Sequence, residues 1–102
     1  MSERLRDKVA IITGSTSGIG LDAARLFLKE GAKVVISGRR EEIGRKLEEE
    51  FGPKCKFIKC DVLLEDEISN LFSKSKNFFG QVDIVFNNAG APDFVRNVED
   101  IS

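Results

Sequence analysis

The sequence contains no histidine, no tyrosine and no tryptophan, and its 102 residues include only two cysteines and two prolines. Without histidine it lacks the commonest general base at neutral pH and the commonest neutral metal ligand. Cys55 and Cys60, five apart, fit neither a disulfide framework nor a zinc ligand set. Both are expected as reduced structural thiols, and no metal site is expected. Neither sign of charge is in excess. Sixteen Lys and Arg against seventeen Asp and Glu give a formal net charge of -1, which removes any general attraction to nucleic acid or to an anionic membrane. An anion site, if there is one, has to be local. No apolar run approaches the roughly 18 residues of a membrane span. The first eight residues are polar and of mixed charge, unlike a secretory signal, so a cytoplasmic protein is expected. With 41% hydrophobic residues the length suits one compact domain, residues 1–102, around one core.

What is present is a regular alternation of apolar runs and helical patterns. Lys8 to Thr13 is short and rich in β-branched residues and stops at Gly14, which predicts a first strand. From Gly18 to about Glu30 the residues Ile19, Ala23, Leu26, Phe27 and Glu30 keep a helical period, and Gly31 stands where a helix-terminating glycine belongs. A second strand is predicted over Lys33–Ser37. A second helix follows over Glu41–Phe51, with Ile43, Leu47 and Phe51 on one face and acidic residues at its start. Lys54–Val62 predicts a third strand, Glu65–Phe79 an amphipathic helix carrying Ile68, Leu71, Phe72 and Phe79 and closed by Gly80, and Val82–Asn87 a fourth strand. Ala91 to Ser102 is read as loop. Strands that alternate with helices favour a parallel α/β sheet joined by right-handed crossovers, here of about four strands in the order 3-2-1-4.

The strongest chemical signal is Thr13-Gly14-Ser15-Thr16-Ser17-Gly18-Ile19-Gly20, between the first strand and the first helix. A glycine turn there lets backbone N–H groups approach a pyrophosphate, while the helix N-terminus supplies positive partial charge. A tight turn that needs glycine for backbone reasons alone would look similar, but it would not require three intervening hydroxyls and an absence of anionic side chains. The spacing is not Gly-x-Gly-x-x-Gly, and no Lys-Ser/Thr ending of a P-loop follows, so a nucleoside-triphosphate hydrolase is not expected.

Thr-Gly-x-x-x-Gly-x-Gly resembles the cofactor signature of the short-chain dehydrogenase/reductase family. Two more segments carry the resemblance. Cys60-Asp61-Val62 is similar to the family's Asp-Val, whose carboxylate and following amide meet the adenine, and Asn87-Asn88-Ala89-Gly90 matches the family's Asn-Asn-Ala-Gly, which supports the sheet and lines the adenosine ribose. Singly, Asp61 reads equally well as a helix cap, and the asparagines as turn residues. Together with the glycine loop they fall at the carboxyl ends of parallel strands, where open α/β sheets bind ligands. The resemblance implies a three-layer Rossmann-like domain with helices on both faces. It also implies Gly14, Ser15, Thr16, Ser17, Gly18, Ile19, Gly20, Asp61, Val62, Asn88, Ala89 and Gly90 as cofactor-binding residues.

Cofactor choice turns on Ser37-Gly38-Arg39-Arg40. An acidic residue about 20 residues beyond the glycine loop would bind the ribose 2′-hydroxyl of NAD and repel the 2′-phosphate of NADP. Gly38 holds that place instead. Arg39 is free to stack on adenine and to form charge-assisted hydrogen bonds to the phosphate, with Ser37 as a further donor and Arg40 as a helper. The other reading has both arginines solvating the start of the second helix, paired with Glu41 or Glu42. Glycine followed by arginine here is similar to the family's NADP pattern, so NADP is expected ahead of NAD. The basic residue that some NADP-dependent relatives carry before the second glycine is replaced by Ser17.

The family's chemistry rests on a Tyr-x-x-x-Lys pair and an upstream serine in the half that follows the fourth strand, and this sequence has no tyrosine. No catalytic residue is assigned. The chain is therefore expected to be the NADP(H)-binding portion of an oxidoreductase that interconverts a small-molecule carbonyl and alcohol. The alternative is a stand-alone nucleotide-binding or interaction module without catalysis. The first is preferred because a complete domain would ordinarily close its exposed sheet edge. The same unpaired, apolar fourth strand predicts self-association, and a homo-oligomer is expected.

Overall fold

The computed structural model describes residues 4–14, 18–61 and 64–87, with the side chain of Asn87 excepted. Strand β1 spans Val9–Thr13, helix α1 Gly18–Lys29, strand β2 Lys33–Gly38, helix α2 Glu41–Phe51, strand β3 Cys55–Lys59, helix α3 Glu65–Phe79 and strand β4 Ile84–Asn87. The four strands form one parallel sheet in the order β3-β2-β1-β4, the architecture expected from the alternation of elements.

The strand period of two sorts the core onto the two sheet faces. Ile12, Val34, Ile36, Cys55 and Phe57 point to one face and are covered by α1 and α2 through Ala24 and Leu47. Ile11, Val35, Ile58 and Cys60 point to the other and meet Leu71 of α3, flanked by Ile68, Phe72 and Phe79. β1 and the inner part of β2 are buried throughout, as expected for strands covered on both sides.

The helices differ from the sequence reading in which residues face inward. On α1 the buried positions are Gly20 and Ala24, with Ala23, Phe27 and Leu28 partly buried against the same core, whereas Ile19 is 71% exposed and Leu26 54% exposed. The two small residues, one turn apart, bring the helix backbone close to the sheet, and this rotates the larger apolar residues to the sides. α2 is similar. Gly44 and Leu47 are its buried positions, while Ile43 lies at an exposed rim. A Cβ on Gly44 would overlap the buried ring of Phe57, so glycine is what lets α2 lie this close to β3.

Two strands are shorter than expected by two residues or more. β3 ends at Lys59 rather than Val62 because the chain turns at Asp61, although the Cys60 N–H still donates to the Gly38 carbonyl at 3.0 Å. β4 starts at Ile84 rather than Val82. Asp83 precedes it, with its backbone N–H on the Val9 carbonyl at 2.8 Å and its carboxylate accepting the Val9 N–H at 2.8 Å. Gly80 closes α3 in the left-handed conformation, its N–H on the Lys76 carbonyl at 2.7 Å. No helix among the described residues is long and apolar enough to cross a membrane.

Candidate nucleotide site at the carboxyl ends of the strands

Because all strand pairs are parallel, the carboxyl ends of the four strands lie along one edge of the sheet. The register places Thr13 beside Asn87 and Gly38 beside Lys59. Gly14, the Gly38-Arg39-Arg40 turn, the Cys60-Asp61 turn and the end of β4 therefore share that edge, in the spatial order of their strands. This is the crevice in which open α/β sheets hold ligands.

At β1 the chain leaves the sheet through Gly14, whose φ of 60° lies in the left-handed region, and enters α1 at Gly18, whose φ is 59°. A side chain at either position would strain the backbone. α1 has no acidic residue in its first turn, so its partly positive N-terminus is not neutralised from within the helix. Ile19, exposed, and Gly20, buried, are adjacent in that turn. Ser15, Thr16 and Ser17 of the glycine loop, Val62, and Asn88, Ala89 and Gly90 after β4 lie outside the described residues.

At β2 the two arginines and the serine occupy different surroundings. Ser37 is 1% exposed, and its hydroxyl donates to the Ile12 carbonyl at 3.4 Å. Arg39 and Arg40 are exposed, and among the described residues neither has an ion-pair partner. The nearby acid Glu41 is instead engaged by Arg45 at 3.3 Å, an i,i+4 pair along α2. Arg40 is the N-cap of α2 and offers its carbonyl to the Gly44 N–H at 3.1 Å.

At β3 the Asp61 turn is held by a residue the sequence reading did not single out. Glu67 accepts the Asp61 N–H at 2.6 Å, and the Asp61 carbonyl accepts the Leu64 N–H at 3.0 Å. Glu67 stands three residues after the N-cap Leu64, the place of a capping-box glutamate. The Ser or Thr that normally announces such a box is missing, which is why the pattern was silent. Burial, with the nearby charges of Glu67 and Asp61, pushes the Cys60 thiol up to about 11. It is a protonated packing residue at neutral pH and no nucleophile.

The sequence pattern of the short chain dehydrogenase family matches residues 8–102. The chain belongs to that family. Among curated members, the chain is 49% identical over 88 residues to tropinone reductase-like 2 of Erythroxylum coca, covering 86% of this chain and 32% of that protein. It is 42% identical over 94 residues to secoisolariciresinol dehydrogenase of Forsythia intermedia, covering 91% of this chain and 34% of that protein. Against momilactone A synthase of Oryza sativa subsp. japonica it is 42% identical over 90 residues, covering 87% and 33%. The chain thus spans about a third of the length of these short chain dehydrogenase relatives. The glycine loop, the Asp61 turn and the end of β4 all lie within the matched residues.

Proposed function

We propose that the chain is the NADP(H)-binding portion of a cytoplasmic oxidoreductase that interconverts a carbonyl and an alcohol. The observation that carries the choice of NADP over NAD is the state of the β2 turn. Gly38 stands where an acidic residue would bind the ribose of NAD, and the two arginines after it make no ion pair among the described residues. Pairing with Glu41 or Glu42, the other reading of these arginines, is disfavoured because Arg45 holds the Glu41 carboxylate and no ion pair joins either arginine to Glu42 among the described residues. The residues suit the dinucleotide. Gly14 and Gly18 would let backbone amides and the α1 N-terminus meet the pyrophosphate, Asp61 with Val62 the adenine, and Asn88, Ala89 and Gly90 the adenosine ribose. Arg39 would stack on adenine and hold the 2′-phosphate, with Arg40 beside it. Ser37 would join them only by turning its hydroxyl from Ile12.

The bound dinucleotide supplies hydride chemistry, and this chain's own residues bind and orient it. A carbonyl accepting hydride needs a proton donor, worth roughly 10²- to 10⁴-fold in rate, and the sequence has no tyrosine for that role. The chain by itself is therefore expected to bind but not to turn over. Calorimetric titration with 2′-phospho-ADP-ribose and with ADP-ribose tests the reading. The phosphorylated ligand should bind about tenfold or more tightly, and Arg39→Ala should abolish the difference. Equal affinities in the unsubstituted chain would refute NADP preference, and NADPH oxidation at an enzymatic rate across a panel of ketones and aldehydes would show that a proton donor exists within these 102 residues.

A further inference from the structure

β3 is an outer strand of the sheet, and its backbone polar groups can be accounted for one by one. The Val34 N–H donates to the Lys54 carbonyl and the Cys60 N–H to the Gly38 carbonyl. In a parallel pair this turns alternate residues toward β2 and leaves the amides of Cys55, Phe57 and Lys59 facing outward. Two of those three are satisfied from within the chain. The Cys55 N–H donates to the Gly52 carbonyl at 3.0 Å. The Phe57 N–H donates to Glu48 Oε2 at 2.9 Å, and Lys56 Nζ stands 3.5 Å from the same oxygen. The Lys59 N–H and the Phe57 carbonyl have no partner among the described residues.

That open stretch borders a groove of about 550 Å³ between α2 and α3, lined by Arg45, Phe57, Lys59, Lys74, Asn77 and Phe78 among others. Phe78 is 54% exposed and offers an apolar wall. Arg45 and Lys56 are tied to Glu41 and Glu48, whereas Lys59 and Lys74 form no ion pair among the described residues. The groove therefore carries uncompensated positive charge on a chain whose net charge is -1.

We propose that this groove docks an acidic, extended peptide segment of a partner protein. One residue of the segment would bond the Phe57 carbonyl through its N–H and the Lys59 N–H through its carbonyl, the pattern of a single residue added to a parallel edge. A carboxylate would then meet Lys59 and Lys74, and an apolar side chain would meet Phe78. Glu48 is the prototype within the molecule, a carboxylate seated on an outward amide of β3 with a lysine ammonium beside it. It also sets the limit of the site, since the Phe57 N–H is taken and the added strand can pair only beyond it. A small carboxylate would use the lysines but not the acceptor at Phe57. The donor and acceptor on one open edge favour a chain segment.

The probe is a short fluorescein-labelled peptide that alternates glutamate with valine, followed by anisotropy. It should bind saturably, and a peptide with lysine in place of glutamate should not. The double variant Lys59→Glu with Lys74→Glu should weaken binding by about tenfold or more, and backbone N-methylation of the peptide should weaken it too. Lys46→Glu, on α2 outside the groove, should leave it unchanged. Absence of binding, equal binding of the lysine peptide, or an affinity indifferent to Lys59 and Lys74 would overturn the proposal. It would equally be overturned if N-acetylglutamate bound as tightly as the peptide, which would make the groove a small-anion site.

Discussion

The sheet has two outer strands, and their outward backbone groups meet different fates. On β3 the edge is managed by its own surroundings. A turn carbonyl takes one amide, a carboxylate from α2 takes the next, and lysines at positions 54, 56 and 59 line the strand. On β4 the register that sets Ile11 beside Val85 and Thr13 beside Asn87 turns the Val85 amide outward, and no strand lies on that side among the described residues. Its residues Ile84, Val85 and Phe86 are uncharged and half-buried. Charged residues, lysine above all, blunt sheet edges against further pairing, while a bare apolar edge invites it. β3 is thus covered along its first half and open, among the described residues, only from the Phe57 carbonyl to the Lys59 amide, whereas β4 carries no charged residue along its length.

The largest effect expected from this difference is on mass. The 102-residue chain should form dimers or larger species in sedimentation, through β4, and Lys59→Glu should leave that association unchanged. A stable two-state monomer would remove the contrast, and association abolished by Lys59→Glu would reverse it. Next in size is the packing that holds α2 over β3. Gly44→Val places carbon where the Phe57 ring lies, and overpacking of a close-packed core costs about 1–3 kcal/mol. Urea unfolding should show that loss, and Phe57→Leu in the same background should recover part of it.

A smaller change is expected from Glu48→Gln, which weakens the acceptor of the Phe57 N–H and the pairs with Lys56 and Arg45, a loss of about 1 kcal/mol. Its pH dependence has a definite sign. Burial alone would raise the Glu48 carboxyl, but the Phe57 N–H, Lys56 and Arg45 outweigh it and hold the group below its ordinary 4.5. The stabilisation is therefore complete above about pH 4.5 and is lost as pH falls through the depressed folded-state value. The Gln variant should flatten that part of an acid titration, and an unchanged profile would remove Glu48 from the edge. The smallest effect concerns the thiols, which β3 and the turn after it place on opposite sheet faces. Burial, with the charge of Glu48, pushes Cys55 up to about 12, so iodoacetamide at neutral pH should label it only as fast as the fold opens. Labelling of native Cys55 at the rate of a free thiol would contradict its burial.

Element type and order were legible in the sequence because β-branched runs and helical periods alternate so regularly, and α2 and α3 have the bounds their patterns indicate. Inward orientation was less legible. A helical period shows which residues share a side but not how close the backbone comes, and Gly20 with Ala24, or Gly44, shifts the contact away from Ile19 and Ile43. The candidate site was legible where a backbone conformation demands glycine, as at Gly14 and Gly18. Glu67 and Glu48 were not, since each serves an amide six or nine residues away and nothing in local spacing distinguishes them from solvated acids. The burial of Ser37 against the Ile12 carbonyl is likewise a property of two neighbouring strands, invisible in either alone.

Val9 and Asp83 exchange two hydrogen bonds across 74 residues of chain, and this gives the molecule an order in time. β1 emerges first in synthesis and can pair early with β2, yet its other side waits until α3 and β4 have been made. Closing so long a loop costs entropy before any contact repays it. β1, fully buried once the fold is complete, is thus the inner strand that stays half-dressed longest on the way there, and β4 is the strand whose amides should exchange with solvent first when the finished molecule breathes.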